Sequence, residues 1–345
     1  MIRLRLMILP LIVLGLLVGC SEKPSVNANA KTELTGAGST FIYPMMSKWA
    51  SEYQKAYPDF RVNYQSIGSG GGIRQILEGT VDFGATDGPM TDEQLAASKS
   101  GKLLHIPVAM GADVPAYNIP GVSTELKFTP TVLADIFLGK ISKWSDPQIA
   151  KANPGVKFPD IPIVVVHRSD GSGTTYIWTD YLSKVSPEWK TKVGVNTSVS
   201  WPVGLGAKGN EGVAGMVRQT PGGIGYVELI YAEQNNIPFG SVQNAAGTFV
   251  KGSMDSVSAA AAAAKIPEDF RYSITNAPGK DAYPISGTTW LLVPTNPRDA
   301  ARGKVVVSFA DWILGNGQEL APTLHYAKVP ANIATRAKQA LLQVK

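Results

Sequence analysis

One cysteine and three histidines in 345 residues leave little room for thiol or metal chemistry. Cys20 has no partner for an intrachain disulfide, and the lack of any other thiol removes Cys-based metal sites and thiol catalysis. His105, His167 and His325 stand far apart, and none pairs with another at metal-ligand spacing. Charge of one sign is also scarce. The 32 Lys and Arg against 27 Asp and Glu give a net charge of +5, and the basic residues are scattered, so no nucleic-acid surface is expected. No apolar run reaches the ~20 residues of a membrane-spanning helix, and no segment repeats at a fixed period.

What is present begins at the front. Arg3 and Arg5 precede an apolar run from Leu6 to Val18, interrupted by Pro10 and Gly15. That length and those flanks predict the leader of an exported chain, residues 1–19. Leu17-Val18-Gly19-Cys20 resembles the lipobox of bacterial lipoproteins, which predicts a lipidated Cys20; an ordinary signal peptide with a chance cysteine is the alternative. Residues 20–32 are polar and read as a tether. The expected product is a body outside the cytoplasmic membrane, lipid-anchored through Cys20.

The 35 glycines and 24 prolines exceed the ~7% and ~5% of average usage, which implies many tight connections. Three segments share one logic. Glu33–Thr35 leads through Gly36-Ala37-Gly38-Ser39-Thr40-Phe41 to a helical pattern from Tyr43 to Tyr57, with Met46, Trp49, Ala50, Tyr53 and Tyr57 on one face. The alternating strand Arg61–Ile67 leads through Gly68-Ser69-Gly70-Gly71-Gly72 to a helix from Ile73, followed by a strand Val81–Ala85 that ends at Thr86-Asp87-Gly88. Ile163–Val166 runs into Arg168-Ser169-Asp170-Gly171-Ser172-Gly173-Thr174 and then a helical segment from Tyr176. Strand, Gly/Ser/Thr turn and helix start predict an α/β class with largely parallel strands, and place the turns at the carboxyl ends where such sheets bind ligands.

These turns suit a small oxyanion. A helix start offers unpaired N–H groups and partial positive charge. Thr40, Ser69, Ser172 and Thr174 add neutral hydroxyl donors, and Arg168 alone adds a formal charge in fork geometry. Asp170 either orients Arg168 through a bidentate pair or bonds its own backbone in the turn. Asp87 is the odd member: a carboxylate repels an anion unless the ligand brings a proton. Phosphate carries one at neutral pH and sulfate does not, so Asp87 would favour phosphate. A cap on the turn at Gly88-Pro89 is the other reading of Asp87.

The runs Leu34 to Phe41, Ile67 to Gly72, Val81 to Asp87 and Arg168 to Thr174 resemble those of the periplasmic phosphate-binding proteins of bacterial phosphate-specific ABC importers. Trp201-Pro202-Val203-Gly204-Leu205-Gly206 with Gly209-Asn210, and Gly225-Tyr226-Val227-Glu228, share the resemblance. It covers nearly all of the chain after Thr32. It implies a two-lobed periplasmic-binding-protein fold with a ligand cleft between the lobes. Thr40, Phe41 (through its backbone N–H), Ser69 and Asp87 would come from one lobe; Arg168, Asp170, Ser172, Gly173 and Thr174 would come from the other. The chain would cross near Pro107 and return near Pro284, so that residues 33–107 and 284–345 form one lobe and 108–283 the second. The implied partners are inorganic phosphate and the permease and ATPase subunits of the importer; the protein is expected to be a monomer with no cofactor.

Three rival readings bear comparison. Gly204 to Gly209 satisfies a dinucleotide fingerprint with Glu228 at ribose-acid spacing, but Pro202 opposes a preceding strand and Asn210-Glu211-Gly212 is a poor tight helix start. A secreted hydrolase would need a paired histidine or an exposed Ser172 nucleophile, and Ser172 lacks the Gly-x-Ser-x-Gly elbow. A sulfate or molybdate binder on the same fold is separated from a phosphate binder by Asp87.

Overall fold

The computed structural model describes residues 32–345. The leader 1–19, Cys20 and the tether up to residue 31 lie outside the described residues, and Thr32 opens the first strand. Among the described residues eleven strands form two sheets: β1 (Thr32–Gly38), β2 (Phe60–Ser66), β3 (Phe83–Thr86), β4 (Leu103–Asn118), β5 (Lys127–Phe128), β6 (Val164–Arg168), β7 (Leu205–Ala207), β8 (Gly223–Glu228), β9 (Ser241–Gln243), β10 (Phe249–Val250) and β11 (Ser286–Pro294). The large sheet runs β2-β1-β3-β11-β4-β8-β6-β7, and β10-β9-β5 forms a small one.

The flanks are parallel, β1 with β2 and β3, and β6 with β7 and β8. The centre is not: β11 runs antiparallel to β3 and β4, and β4 antiparallel to β8. β4 joins the two halves. It pairs with β11 from Leu103 to Ala112 and with β8 from Asp113 to Asn118. Pro107 lies at an irregularity opposite Thr289 and Trp290, and the change of partner follows between Ala112 and Asp113. The chain returns where Asp113 donates its N–H to Ile285 O at 2.9 Å, just before β11.

Local chemistry explains most elements. The helix Tyr43–Ala56 buries Met45, Met46, Trp49 and Tyr53, whereas Ala50 is only partly covered and Tyr57 is exposed beyond the helix end, so the apolar face is narrower than the periodicity predicts. The helix Ser69–Glu78 begins four residues before Ile73, and Gly70, Gly71 and Gly72 form its first turns. A Cβ on Gly72 would lie 2.6 Å from Ala37 O and Gly38 Cα, so the glycine lets the helix press against the ends of β1 and β3. In the second half, Trp178 and Trp201 stack on Tyr226 with centroids 5.1 and 5.6 Å away. Tyr226 OH accepts the N–H of Arg168 at 3.1 Å and lies 2.6 Å from Thr175 Oγ1, tying this aromatic core to the end of β6. No helix among the described residues is long and apolar enough to cross a membrane.

Candidate functional site

Four helix N-termini meet where the two halves touch, those of Tyr43–Ala56, Ser69–Glu78, Gly173–Val185 and Gly209–Gln219, as the bonds from Gly70 to Gly171 and from Asn210 to Thr40 and Thr174 show. The first two follow β1 and β2, the others β6 and β7. The fourth was not foreseen as part of the site. Its helix does form at Gly209, where φ is +73°, against the expectation of a poor helix start. The dinucleotide reading still fails, because β7 lies inside the fingerprint at Leu205–Ala207 and Glu228 is wholly buried.

The structure brings Thr40, Phe41, Ser69, Asp87, Arg168, Ser172 and Thr174 into one buried cluster, none more than 3% exposed; Gly173 is buried there and Asp170 lies at its edge. Arg168 and Asp170 form a bidentate pair, Nε to Oδ1 at 2.8 Å and Nη2 to Oδ2 at 2.6 Å. Gly209 N–H adds a third donor to Asp170 Oδ1 at 3.1 Å. Burial pushes the Asp170 carboxyl up, but the guanidinium outweighs it and holds the group below its ordinary range. The remaining Arg168 nitrogen, Nη1, lies 3.3 Å from Thr174 Oγ1 and faces the cluster.

Ser172 caps its helix by accepting the N–H of Thr175 at 3.0 Å, which leaves its hydroxyl hydrogen free to point into the cluster. The N–H groups of Gly173 and Thr174 head the same helix and have no carbonyl partner among the described residues. Around the first turn, three tyrosines fix the backbone. Tyr64 OH donates to Ser39 O at 2.9 Å, Tyr231 OH to Thr40 O at 2.6 Å and Tyr326 OH to Phe41 O at 2.6 Å. With those carbonyls held outward, the N–H groups of Thr40 and Phe41 are left for the cleft.

Asp87 does not cap the turn after it; Thr86 Oγ1 does that by donating to Gly88 O at 2.6 Å. The Asp87 carboxylate instead accepts from Ser39 Oγ at 2.6 and 2.7 Å, Thr289 Oγ1 at 2.6 Å and Ser69 Oγ at 3.3 Å. Burial raises it to about 6, with the Ser39 and Thr289 hydroxyls and the Arg168 charge opposing. It is therefore mostly ionised at neutral pH, in a cluster whose other side chains, Asp170 apart, are donors. Sequence reasoning missed Ser39 as a partner of Asp87, together with Thr289, Tyr231 and Asn210. Ser39 and Asn210 stood in runs already singled out, but Thr289 and Tyr231 lie in segments whose side-chain direction only the fold sets.

Other candidates fall away from the cluster. His167 stacks on Trp201 at 4.9 Å and directs Nδ1 to Arg168 O, a structural position. No group of three or more His, Cys, Asp or Glu among the described residues could hold a metal ion.

A family model for the PBP superfamily domain matches residues 24–316. The phosphate-binding protein PstS of Xylella fastidiosa is 49% identical over 313 residues, covering 90% of this chain and 85% of its own. The PstS of Haemophilus influenzae is 45% identical over 318 residues, covering 91% and 93%. The chain belongs to the PstS phosphate-binding protein family. Solved structures agree on the fold. The high-affinity periplasmic phosphate-binding protein PfluDING, bound with phosphate, superposes with a TM-score of 0.73 at 22% identity over 89% of this chain and 93% of that one. A phosphate-binding protein from Stenotrophomonas maltophilia gives 0.67 at 18% identity, over 89% and 93%. The architecture is thus the two-lobed one shared by these proteins.

Proposed function

We propose that this protein captures inorganic phosphate outside the cytoplasmic membrane and delivers it to an ABC-type phosphate importer, without chemical change to the ligand. One observation carries this reading: buried hydroxyl, amide and guanidinium donors are gathered around the Asp87 carboxylate, the one acid of the cluster without a cationic partner bonded to it. The Thr40, Ser172 and Thr174 hydroxyls, the Ser69 hydroxyl once its hydrogen turns from Asp87, the N–H groups of Phe41 and Gly173, and Arg168 held by Asp170 would grip the phosphate oxygens. Asp87 would accept the proton that phosphate retains, and would face sulfate as an unpaired charge.

The lobes in this reading are residues 33–107 with 284–345, and 108–283. The change of pairing partner along β4 and the return at Ile285 support a hinge there. Closure excludes water, so each charge-assisted bond is worth roughly 1.5–3 kcal/mol. A handful of them, less ordering and desolvation, supports micromolar or tighter binding, about −8 kcal/mol. A monomer anchored by lipid at Cys20 and sited in the periplasm would present the closed form to the permease and ATPase subunits.

Titration calorimetry with phosphate, arsenate and sulfate tests the reading. Phosphate should bind tightly, arsenate more weakly, and sulfate weakly or not at all. Equal affinity for sulfate would remove the role given to Asp87, and release of phosphate from a simple phosphoester would overturn the assignment as a binding protein.

A further inference from the structure

Asn210 touches both halves of the site and belongs to no set of ligand-gripping residues described above. It is the second residue of the helix Gly209–Gln219 and is fully buried. Its backbone N–H donates to Thr40 Oγ1 at 3.2 Å, and its Nδ2 donates to Thr40 Oγ1 at 2.8 Å and to Thr174 Oγ1 at 3.0 Å. Its Oδ1 accepts the N–H of Glu228 at 2.9 Å.

The direction of these bonds is fixed by chemistry. A backbone N–H only donates, so the amide atom facing Glu228 must be oxygen, and the NH2 must face the two threonines. A hydroxyl has one hydrogen and two lone pairs. Thr40 Oγ1 accepts from both the backbone N–H and the Nδ2 of Asn210, which fills its lone pairs. Thr174 Oγ1 accepts from Asn210 Nδ2 and from Arg168 Nη1 at 3.3 Å, which fills its own. Each hydroxyl is left with its hydrogen as the only free function.

We infer that Asn210 is a positioning residue that locks the Thr40 and Thr174 hydroxyls as donors, so that an entering anion meets their hydrogens and not their lone pairs. Freed of Asn210, each hydroxyl could turn a lone pair toward the ligand, and binding would have to reorder it. Because Thr40 follows β1 and Thr174 follows β6, the same amide also holds the two halves in the spacing at which both hydroxyls reach one ligand. The inference rests on the phosphate reading of the site.

The test is a thermodynamic cycle on phosphate affinity, measured by calorimetry for the wild-type chain, Asn210→Ala, Thr174→Val and the double variant. Asn210→Ala should weaken phosphate binding by about 10- to 100-fold. In the Thr174→Val background, where one of the two oriented hydroxyls is gone and only Thr40 is left to orient, the same change should cost at least ~3-fold less, since groups acting through one another are not additive. Asn210→Asp keeps the shape and the bond from Glu228 N–H but replaces the donating NH2 with an accepting oxygen. It should therefore bind phosphate more weakly than Asn210→Ala, and as a buried carboxylate without a cationic partner it should also melt below wild type. Equal losses from Asn210→Ala in both backgrounds, or wild-type affinity in Asn210→Asp, would overturn the role of Asn210. A wild-type chain that bound no phosphate would instead remove the phosphate reading and this inference with it.

Discussion

Gly70 donates its backbone N–H to the carbonyl of Gly171 at 2.9 Å, a direct bond between the turn after β2 and the turn after β6. The two backbones approach so closely that a Cβ on Gly171 would lie 3.0 Å from Gly70 Cα. A side chain there would hold the halves apart without touching either core. Gly171→Val is expected to weaken phosphate binding by at least ~10-fold, with the ligand-free melting temperature little changed. Calorimetry and thermal melts check it, and a variant that binds as wild type does would show that the halves need not meet at this point.

Arg168 should be the costliest ligand-gripping residue to lose. Its truncation removes the cluster's cation and leaves Asp170 as a nearly buried carboxylate without its partner, a penalty of about 3–5 kcal/mol. Thr40→Ala or Ser69→Ala removes one neutral donor and should cost about 1–3 kcal/mol. Arg168→Lys should recover little, because an ammonium cannot form the fork with Asp170. Comparable affinity losses in the alanine variants would contradict this ranking.

Asp87 makes the ligand-free protein pH-sensitive in a definite direction. Burial raises its folded-state value from an ordinary 3.8 to about 6, so the neutral form favours the fold. That contribution is present below pH ~4 and is lost as pH rises through about 6, a change on the order of 3 kcal/mol. Asp113 and Glu228, opposite one another on β4 and β8, are also raised by burial first and by neighbouring carboxylates, and they act in the same direction. Asp87→Asn should therefore show a shallower decline in stability between pH 4 and 7 than wild type in urea titrations. It should also narrow the preference for phosphate over sulfate, since an amide can donate to the sulfate oxygen that a carboxylate repels.

His105 should act on the acid side. Burial, with Arg271 nearby, lowers it from 6.5 to about 3, and its Nε2 accepts the N–H of Met90 at 3.1 Å. A depressed value means that the neutral ring supports the fold above pH ~6.5 and that this support is lost as pH falls toward 3, at up to ~1.4 kcal/mol per unit. His105→Gln, which can still accept from Met90, should flatten the acid limb of the stability curve. An unchanged limb would assign acid unfolding to other groups.

Much of this was legible in the chain. The strand–turn–helix segments at β1, β2 and β6, the Arg168–Asp170 pair and the hydroxyl-rich turns follow from residue types in a short span, because capping, glycine approach and fork geometry act over a few residues. β4 was not legible. Its sixteen residues contain Pro107, Gly111, Asp113 and Pro115, which break any strand pattern, yet all but Asn118 are buried between β11 and β8. Two neighbours supply what local propensity withholds.

The residues alone determined which turns could hold an oxyanion and with what donors, since helix starts, hydroxyls and a single guanidinium declare their chemistry locally. Only the tertiary structure decided which way those donors face. Asn210 meets Thr40 from 170 residues away, and Thr289 reaches Asp87 from 202. A hydroxyl's direction depends on who fills its lone pairs, and those partners arrive only when distant strands are brought side by side.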